Sequence, residues 1–195
     1  AAQSGVRHLT LIPSDNFPIT GSSEAGTVVA QLLRSHADVF RHLSLRVSIL
    51  GELHRLPADL RSQLSQIEQS TAQELGMNLT LLLGYSGRRD LLRVARELAS
   101  EVTSGQLPAQ AISPALIQKR LVTAQLPGVD LIIYTGKSHR LADALTFESA
   151  YAEFAFTDCE WPDFTPAHLQ AALGDFGHRE RRFGKTSAQV QTASG

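Results

Sequence analysis

The sequence predicts an α/β fold in which a mainly parallel central sheet is flanked by helices. Short apolar runs alternate along the chain with longer segments of helical period, which is the order of elements in such folds. The runs contain few polar residues, as expected of strands that are buried on both faces. The five predicted strands are "HLTLI" at 8–12, "LRVSIL" at 45–50, "LTLLL" at 79–83, "DLIIY" at 130–134 and "EFAF" at 153–156.

Segments between the predicted strands carry apolar residues at helical spacing, which predicts helices within residues 23–43, 57–75 and 88–102. Two more helices are predicted to begin at Ser113-Pro114 and Thr165-Pro166, because a hydroxyl cap followed by proline favours a helix start. The residues predicted to share an apolar face are Val28, Leu32, Val39 and Leu43 in the first segment, Leu60, Leu64, Ile67 and Leu75 in the second, and Leu91, Val94, Ala95 and Leu98 in the third.

Composition restricts the class of protein. The chain has 195 residues, of which 43% are apolar and 19% charged, and it is predicted to fold as one domain over residues 6–185 with a polar tail at 186–195. The formal net charge of -1 supplies no overall field to attract nucleic acid. No apolar run is long enough to span a membrane, and the single cysteine, Cys159, cannot form an intramolecular disulfide. We therefore expect a cytoplasmic protein with no transmembrane segment and no nucleic-acid partner.

Ligands of parallel sheets bind at the carboxyl ends of the strands, so the loops after Ile12, Leu83 and Tyr134 are the candidate positions. The last of these, "TGKSHR" at 135–140, combines a glycine, a lysine and an arginine directly after a buried strand. Backbone N–H groups and cations in such a turn are typical of an anion site.

The turn is not a nucleotide-binding P-loop. Gly136-Lys137-Ser138 matches the end of that motif, but the motif requires a second glycine at the position of Leu131. The backbone that wraps a triphosphate is therefore missing, and the anion has to be of another kind.

Three longer segments identify a family. The stretches "GYSGRRDLLRVARELA" (84–99), "DLIIYTGKSHRLADALTFESAYAEFAFTDCEWPDF" (130–164) and "RERRFGK" (179–185) together resemble the cis-prenyltransferases, the undecaprenyl diphosphate synthase family. The resemblance implies a parallel sheet flanked by helices, normally in a dimer, with an apolar tunnel. It also implies the substrates: an isopentenyl diphosphate joined to an allylic diphosphate, usually with Mg²⁺.

Departures from the family pattern fall on its catalytic positions. The family has Asp-Gly-Asn after its first strand, and the aligned residues here are Ser14, Asp15 and Asn16. Ser14 replaces the catalytic aspartate, which leaves Asp15 as a candidate catalytic and metal-binding carboxylate in a shifted position. Asn16 matches and is a candidate diphosphate contact. Nothing in residues 21–44 resembles the family's next strand and Ser-rich loop.

The turn after the fourth predicted strand is changed in part. Thr135, Gly136 and Arg140 match the family and are implied to contact a diphosphate. Tyr134 replaces an arginine and Lys137 replaces a glycine. Lys137 is a further candidate contact, but a lysine supplies a point charge rather than the bidentate fork of an arginine.

Four further residues are candidates for the site: Arg182 and Gly184 match the family pattern, and Arg88 and Glu153 each have two possible roles. Arg88 follows a strand-to-helix junction, where it is either a diphosphate contact or a cation on the helix surface. Glu153 matches a family glutamate near the metal and the dimer interface, or it is a carboxylate paired with a basic residue. Arg182 and Gly184 match a C-terminal Arg-x-Gly motif that reaches, in the family, toward the diphosphate of the partner subunit.

A chain that lacks the ionising loop but keeps the C-terminal motif resembles the non-catalytic Nogo-B-receptor-type subunit of heteromeric cis-prenyltransferases. The resemblance implies a dimer with a catalytic subunit or with itself, Mg²⁺ bound in the partner's site, and peripheral association with membranes. Two alternatives remain: a stand-alone enzyme that couples or cyclises short allylic diphosphates, and a non-enzymatic binding module.

Overall fold

The computed structural model describes residues 1–13, 35 and 37–179, which form two compact units. The first contains Ala1–Pro127 and Ala142–Phe147, and the second contains Gly128–Leu141 and the chain from Glu148 onward. The segment 142–147 therefore belongs to the first unit although its flanks belong to the second. The single domain predicted over residues 6–185 stays a prediction, and the predicted tail at 186–195 lies outside the described residues.

The first unit contains a three-stranded parallel sheet. Its strands are β1 (His8–Leu11), β2 (Arg46–Gly51) and β3 (Asn78–Leu83), in the order β1-β3-β2. Asn78 is in register with both His8 and Arg46, so β3 pairs along its length with both neighbours. These are the first three predicted strands, and the predicted α/β fold with parallel pairing is confirmed.

Four helices of the described residues belong to this unit: α1 (Ala37–His42), α2 (Ala58–Thr71), α3 (Gly87–Thr103) and α4 (Pro114–Arg120). The core between the sheet and α2 consists of Val47, Ile49, Leu56, Leu60, Leu64, Ile67, Leu79, Leu81 and Leu83. A second cluster contains Val94, Leu98 and Leu121. The predicted Ser113 cap is confirmed, since its side chain accepts a hydrogen bond from the Leu116 N–H.

The predicted apolar face of the 57–75 segment is wrong at its end, because Leu75 is 97% exposed. Helix α2 ends at Thr71, whose buried hydroxyl donates to the Ile67 carbonyl and accepts the Val47 N–H at 3.1 Å. This contact with the strand ends the helix one turn before Leu75, so helical spacing no longer places Leu75 on the core side.

Three other residues of the predicted apolar faces are exposed: Val39, Leu43 and Ala95. Helix α1 ends at His42, before Leu43. In α3 the buried face is narrower than predicted, because Val94 and Leu98 alone of the four are fully buried. Val28 and Leu32 lie outside the described residues.

The second unit contains a parallel pair of strands, β4 (Leu131–Thr135) and β5 (Glu153–Thr157), followed by helix α5 (Pro166–His178). Both strands and the helix start at Thr165-Pro166 were predicted. The Thr165 N–H donates to Nδ1 of His168 at 3.1 Å, which closes the first turn of the helix. Among the helices that the structure describes, none has the length and apolar character needed to cross a membrane.

Gly51 is predicted to be essential for the pairing of β2 with β3. Its φ is +119°, and a Cβ atom on it would lie 1.8 Å from the Leu83 carbonyl oxygen. Gly51→Ala should therefore lower the free energy of unfolding by about 3 kcal/mol, measured by urea denaturation. Gly105→Ala is the control, because Gly105 also has a positive φ of +74° but open space around a Cβ; it should cost about 1 kcal/mol. Equal losses in the two variants would contradict the steric argument.

Candidate functional site

Helix α3, the longest helix that the structure describes, follows the turn after β3. The carboxylate of Asp143 is bound at its N-terminus. Oδ1 of Asp143 accepts the Arg88 N–H at 3.1 Å, and Oδ2 accepts the Ser86 hydroxyl. The Asp143 carbonyl accepts the Gly87 N–H at 2.7 Å. Ser86 is the N-cap, and its Oγ also accepts the Arg89 N–H at 3.2 Å. The donors that a helix N-terminus offers to an anion are thus bound to the protein's own groups.

The segment that carries Asp143 is packed closely against the start of α3. A Cβ atom on Gly87 would lie 2.5 Å from Oγ1 and 2.8 Å from the backbone nitrogen of Thr146. Ala142 and Leu145 have positive φ angles of 44° and 51°, which are uncommon for residues with side chains, and Leu145 is buried. The close approach at Gly87 lets this segment reach the helix.

Two arginines at the start of α3 have different surroundings. The Arg88 side chain is exposed on the helix surface, which agrees with the surface-cation alternative, and its role as a diphosphate contact stays a prediction. Arg89 contacts Oε1 of Glu52 at 3.3 Å and the Gly84 carbonyl at 3.1 Å. Burial alone would raise the pKa of Glu52, but the hydrogen bonds and charges of Arg55 and Arg89 together lower it. Glu52 therefore stays ionised and neutralises part of this cationic cluster.

The turn after β4 brings the predicted residues Thr135, Gly136, Lys137 and Arg140 together in one stretch of chain. Gly136 has a φ of +94°, and its N–H donates to the Cys159 carbonyl at 2.8 Å. A Cβ atom on Gly136 would lie 3.3 Å from Oε2 of Glu160. The Gly136 N–H is thus already bound within the protein, and the Glu160 carboxylate lies beside it.

Cations and acids are mixed around this turn. Lys137 and Arg140 are exposed, and Nε of Arg140 lies 3.3 Å from the Ser138 hydroxyl. Nε2 of His139 lies 3.1 Å from Oδ1 of Asp158. With Glu160 and Asp158 beside it, the turn offers an incoming diphosphate less net positive charge than its lysine and arginine suggest.

Tyr134 closes the turn in the position where the family resemblance places an arginine. Its hydroxyl donates to the Leu141 carbonyl at 2.5 Å, and its ring stacks on Phe156 with centroids 5.5 Å apart. Burial raises the pKa of Tyr134, so the hydroxyl stays a neutral donor at neutral pH. The side chain therefore stabilises the turn and brings no charge to it.

Glu153 is held in an ion pair. Oε2 of Glu153 accepts from Nη1 of Arg179 at 2.9 Å, and the same nitrogen donates to the Phe154 carbonyl at 2.9 Å. The paired-carboxylate alternative for Glu153 agrees with this contact, and its metal role stays a prediction. In the part of the chain that the structure describes, no group of three or more His, Cys, Asp or Glu side chains is arranged to hold a metal. Glu153 is the one predicted metal ligand that the structure describes, and a single paired carboxylate does not by itself form a Mg²⁺ site.

Two predicted segments, the first loop and the C-terminal motif, are not among the described residues. Asp15 and Asn16 of the first loop, with Ser14 beside them, lie outside the described residues, and so do Arg182 and Gly184 of the C-terminal motif. Their predicted roles stay predictions.

Sequence reasoning missed Asp143, Glu160 and Asp90. Asp143 lies 57 residues from Ser86 in sequence, and no local sequence pattern predicts a contact over that separation. Asp90 is buried. Its Oδ1 accepts a hydrogen bond from Nε of Arg93, and its Oδ2 accepts the Val122 N–H at 2.8 Å. The one available signal for Asp90 was its spacing of three from Arg93, which favours an ion pair on a helix.

Comparison with known proteins gives a consistent result. Residues 2–184 match the family model described as putative undecaprenyl diphosphate synthase. An isoprenyl transferase of Brucella suis biovar 1 is 38% identical over 189 residues, which cover 94% of this chain and 74% of the relative. The Ditrans,polycis-undecaprenyl-diphosphate synthase ((2E,6E)-farnesyl-diphosphate specific) of Pseudomonas aeruginosa is 38% identical over 194 residues, covering 97% of this chain and 77% of that protein.

Two solved structures are similar in fold. Lavandulyl diphosphate synthase from Lavandula x intermedia, in complex with dimethylallyl diphosphate, superposes with a TM-score of 0.77 at 29% identity and covers 94% of this chain and 81% of that one. A probable undecaprenyl diphosphate synthase from Campylobacter jejuni has a TM-score of 0.76 at 23% identity, covering 94% of this chain and 86% of that one, and supports the fold alone.

Asp143 is predicted to stabilise the first unit through the start of α3. Asp143→Ala leaves the Ser86 hydroxyl and the Arg88 N–H without their acceptor, so the free energy of unfolding should fall by about 1–2 kcal/mol in urea denaturation. Asp59→Ala is the matched control, because Asp59 lies exposed in the first turn of α2, where no side chain caps the helix; it should cost no more than about 0.5 kcal/mol. If the two variants lose the same stability, the carboxylate bridge is not what holds this end of the helix.

Proposed function

Because the chain belongs to the undecaprenyl diphosphate synthase family of cis-prenyltransferases, we propose that it is the non-catalytic subunit of a heteromeric prenyltransferase acting on isoprenyl diphosphates. The catalytic partner binds Mg²⁺ and ionises the allylic diphosphate. This chain dimerises with that partner and supplies Arg182 and Gly184 to the partner's site.

The observation that supports this proposal is that the groups of the turn after β4 are bound to other groups of the protein. Tyr134 stands where the family has an arginine, and its hydroxyl is directed to the Leu141 carbonyl. The Gly136 N–H is bound to Cys159, and Glu160 lies beside it. A second diphosphate has to be clamped so that its double bond lies beside the developing cation, which is a positioning task. A turn in this state is poorly suited to that task.

The first loop supports the same conclusion through its sequence. Departure of pyrophosphate from an allylic carbon requires that the growing negative charge be stabilised by cations and donors held in place. Ser14 has no carboxylate with which to hold a divalent cation, and Asp15 places a negative charge where the family has a glycine. The loop therefore opposes the binding of a diphosphate, and ionisation is assigned to the partner.

The proposal predicts no turnover by the isolated chain and activity in the complex. The chain should be assayed alone and after co-expression with a catalytic family member of the same organism, with farnesyl and isopentenyl diphosphates and Mg²⁺. In the complex, Arg182→Ala should lower kcat/KM by about 100-fold, because a charge-assisted contact to a diphosphate is lost. Arg181→Ala, which removes the same charge one residue earlier, is the control. Turnover by the isolated chain at ordinary rates would end the proposal.

A second candidate function is a stand-alone enzyme acting on short allylic diphosphates. It is favoured by the similarity to lavandulyl diphosphate synthase, whose structure holds dimethylallyl diphosphate. In this alternative Asp15 and Glu153 take over the metal and Arg140 contacts a diphosphate. The enzyme would join two short units irregularly, or ionise and cyclise one.

Asp15→Ala separates the two candidates. If the chain is a stand-alone enzyme, the variant should lose at least about 100-fold in turnover of dimethylallyl or geranyl diphosphate, because it removes the acidic group nearest the lost catalytic position. Asp38→Ala, an exposed aspartate paired with Arg41, is the control and should retain activity. Unchanged turnover in Asp15→Ala would exclude this candidate. Lack of saturable binding of geranyl or farnesyl diphosphate in calorimetry, with and without Mg²⁺, would favour the binding module.

A further inference from the structure

Helix α3 has an exposed row of side chains in which cations flank an apolar residue. One side of this 17-residue helix is buried in the second hydrophobic cluster of the first unit. On the opposite side Arg88, Leu92 and Arg96 follow one another at a spacing of four residues, and all three are exposed. Side chains four residues apart lie on the same face of a helix. Leu92 therefore lies between two guanidinium groups on the surface of the helix.

The acidic residues of α3 are neutralised elsewhere on the helix. Arg93 pairs with Asp90 and, at 2.8 Å, with Glu97. Glu101 pairs with Arg120 of α4 at 2.6 Å. Among the ion pairs that the described residues form, none includes either arginine of the exposed row. The acids of the helix are thus paired on one side, and the positive charge of the row is left uncompensated.

The centre of this face is apolar. Leu92 is 49% exposed, although leucine is usually a core residue, and Ala95 and Ala99 are exposed beside it. Arginine side chains can lay their aliphatic stems along such a surface and keep the guanidinium group at its margin. The face formed by Arg88, Leu92, Ala95, Arg96 and Ala99 is called the α3 face below.

An anionic bilayer is complementary to both parts of the α3 face. The formal net charge of the chain is -1, so attraction of an anionic surface has to come from a local group of cations. Lipid headgroups offer phosphate oxygens to the guanidinium groups, and the acyl layer beneath them accepts an apolar side chain. A nucleic-acid backbone offers the phosphates but no apolar layer for Leu92. The combination of the two kinds of residue therefore favours a membrane surface.

We propose that the α3 face is a docking surface for an anionic membrane. The guanidinium groups of Arg88 and Arg96 contact lipid phosphates, and Leu92 enters the headgroup region. Docking is weak and reversible, because the face supplies fewer contacts than a lipid anchor with two acyl chains. The inference is independent of the proposed heteromeric function, since docking requires neither a catalytic partner nor a prenyl substrate.

The test is co-sedimentation of the full chain with vesicles that contain phosphatidylglycerol and phosphatidylcholine, and with vesicles of phosphatidylcholine alone. The chain should bind the anionic vesicles and not the neutral ones, and binding should weaken as salt screens the charges. Arg96→Glu should lower the partition coefficient about tenfold, and Arg96→Lys, which keeps the charge, should change it less than about twofold. Arg96 is the variant of choice because Arg88 is also a candidate diphosphate contact.

Two further variants separate the α3 face from net charge and from a general affinity for polyanions. Leu92→Ser should lower the partition coefficient about threefold without any change of charge, because an apolar contact is lost. Arg61→Glu is the matched control: Arg61 is exposed on α2, and the residue four positions later is the exposed Ser65 rather than an apolar residue. It should change the partition coefficient less than about twofold. All these positions are exposed, so each variant should unfold at the same urea concentration as the unchanged chain.

Three outcomes would overturn the inference. The first is equal binding to anionic and neutral vesicles, or binding to neither. The second is an equal loss in Arg61→Glu and Arg96→Glu, which would mean that net charge rather than the α3 face governs binding. The third is a loss in Arg96→Glu with none in Leu92→Ser, which would assign the face to a polyanion such as RNA or an acidic protein.

Discussion

The contact on which the candidate site depends is the one between the carboxylate of Asp143 and the N-terminus of α3. A helix N-terminus presents N–H donors and a positive dipole end, so it favours a negative group. The protein supplies that group itself, from the short segment 142–147 that lies against Gly87. The start of the helix and the segment after the β4 turn are thereby fixed together, and the donors of the turn after β3 are bound to a group of the chain itself.

In the turn after β4, too, groups of the protein itself lie where an anion would bind. A parallel-strand end with a glycine, a lysine and an arginine is suited to an anion, yet here the Gly136 N–H is bound to the Cys159 carbonyl and Glu160 lies beside the glycine. Tyr134 adds a hydrogen bond to Leu141 where a cation stands in the family pattern. The fold of the family is present, and the charge around this turn is set by the residues that pack beside it.

Glu153 and Arg179 form an ion pair within the second unit. A carboxylate that the resemblance placed near a metal is bound here to a guanidinium from the same unit, at the point where the chain leaves α5. This ion pair joins β5 to the end of α5.

The sequence by itself determined the five strands, the helix starts at Ser113 and Thr165, and the family to which the chain belongs, since periodicity, caps and motifs are local properties of the chain. It also located the turn at 135–140. It did not determine where α2 ends, because that end depends on a hydrogen bond between Thr71 and Val47, 24 residues apart. Only the tertiary structure decided which acids meet the candidate turns: Asp143 at Ser86 and Glu160 at Gly136. These partners are brought together by packing of distant segments, and the charge that a turn offers a ligand depends on its neighbours in space rather than in sequence.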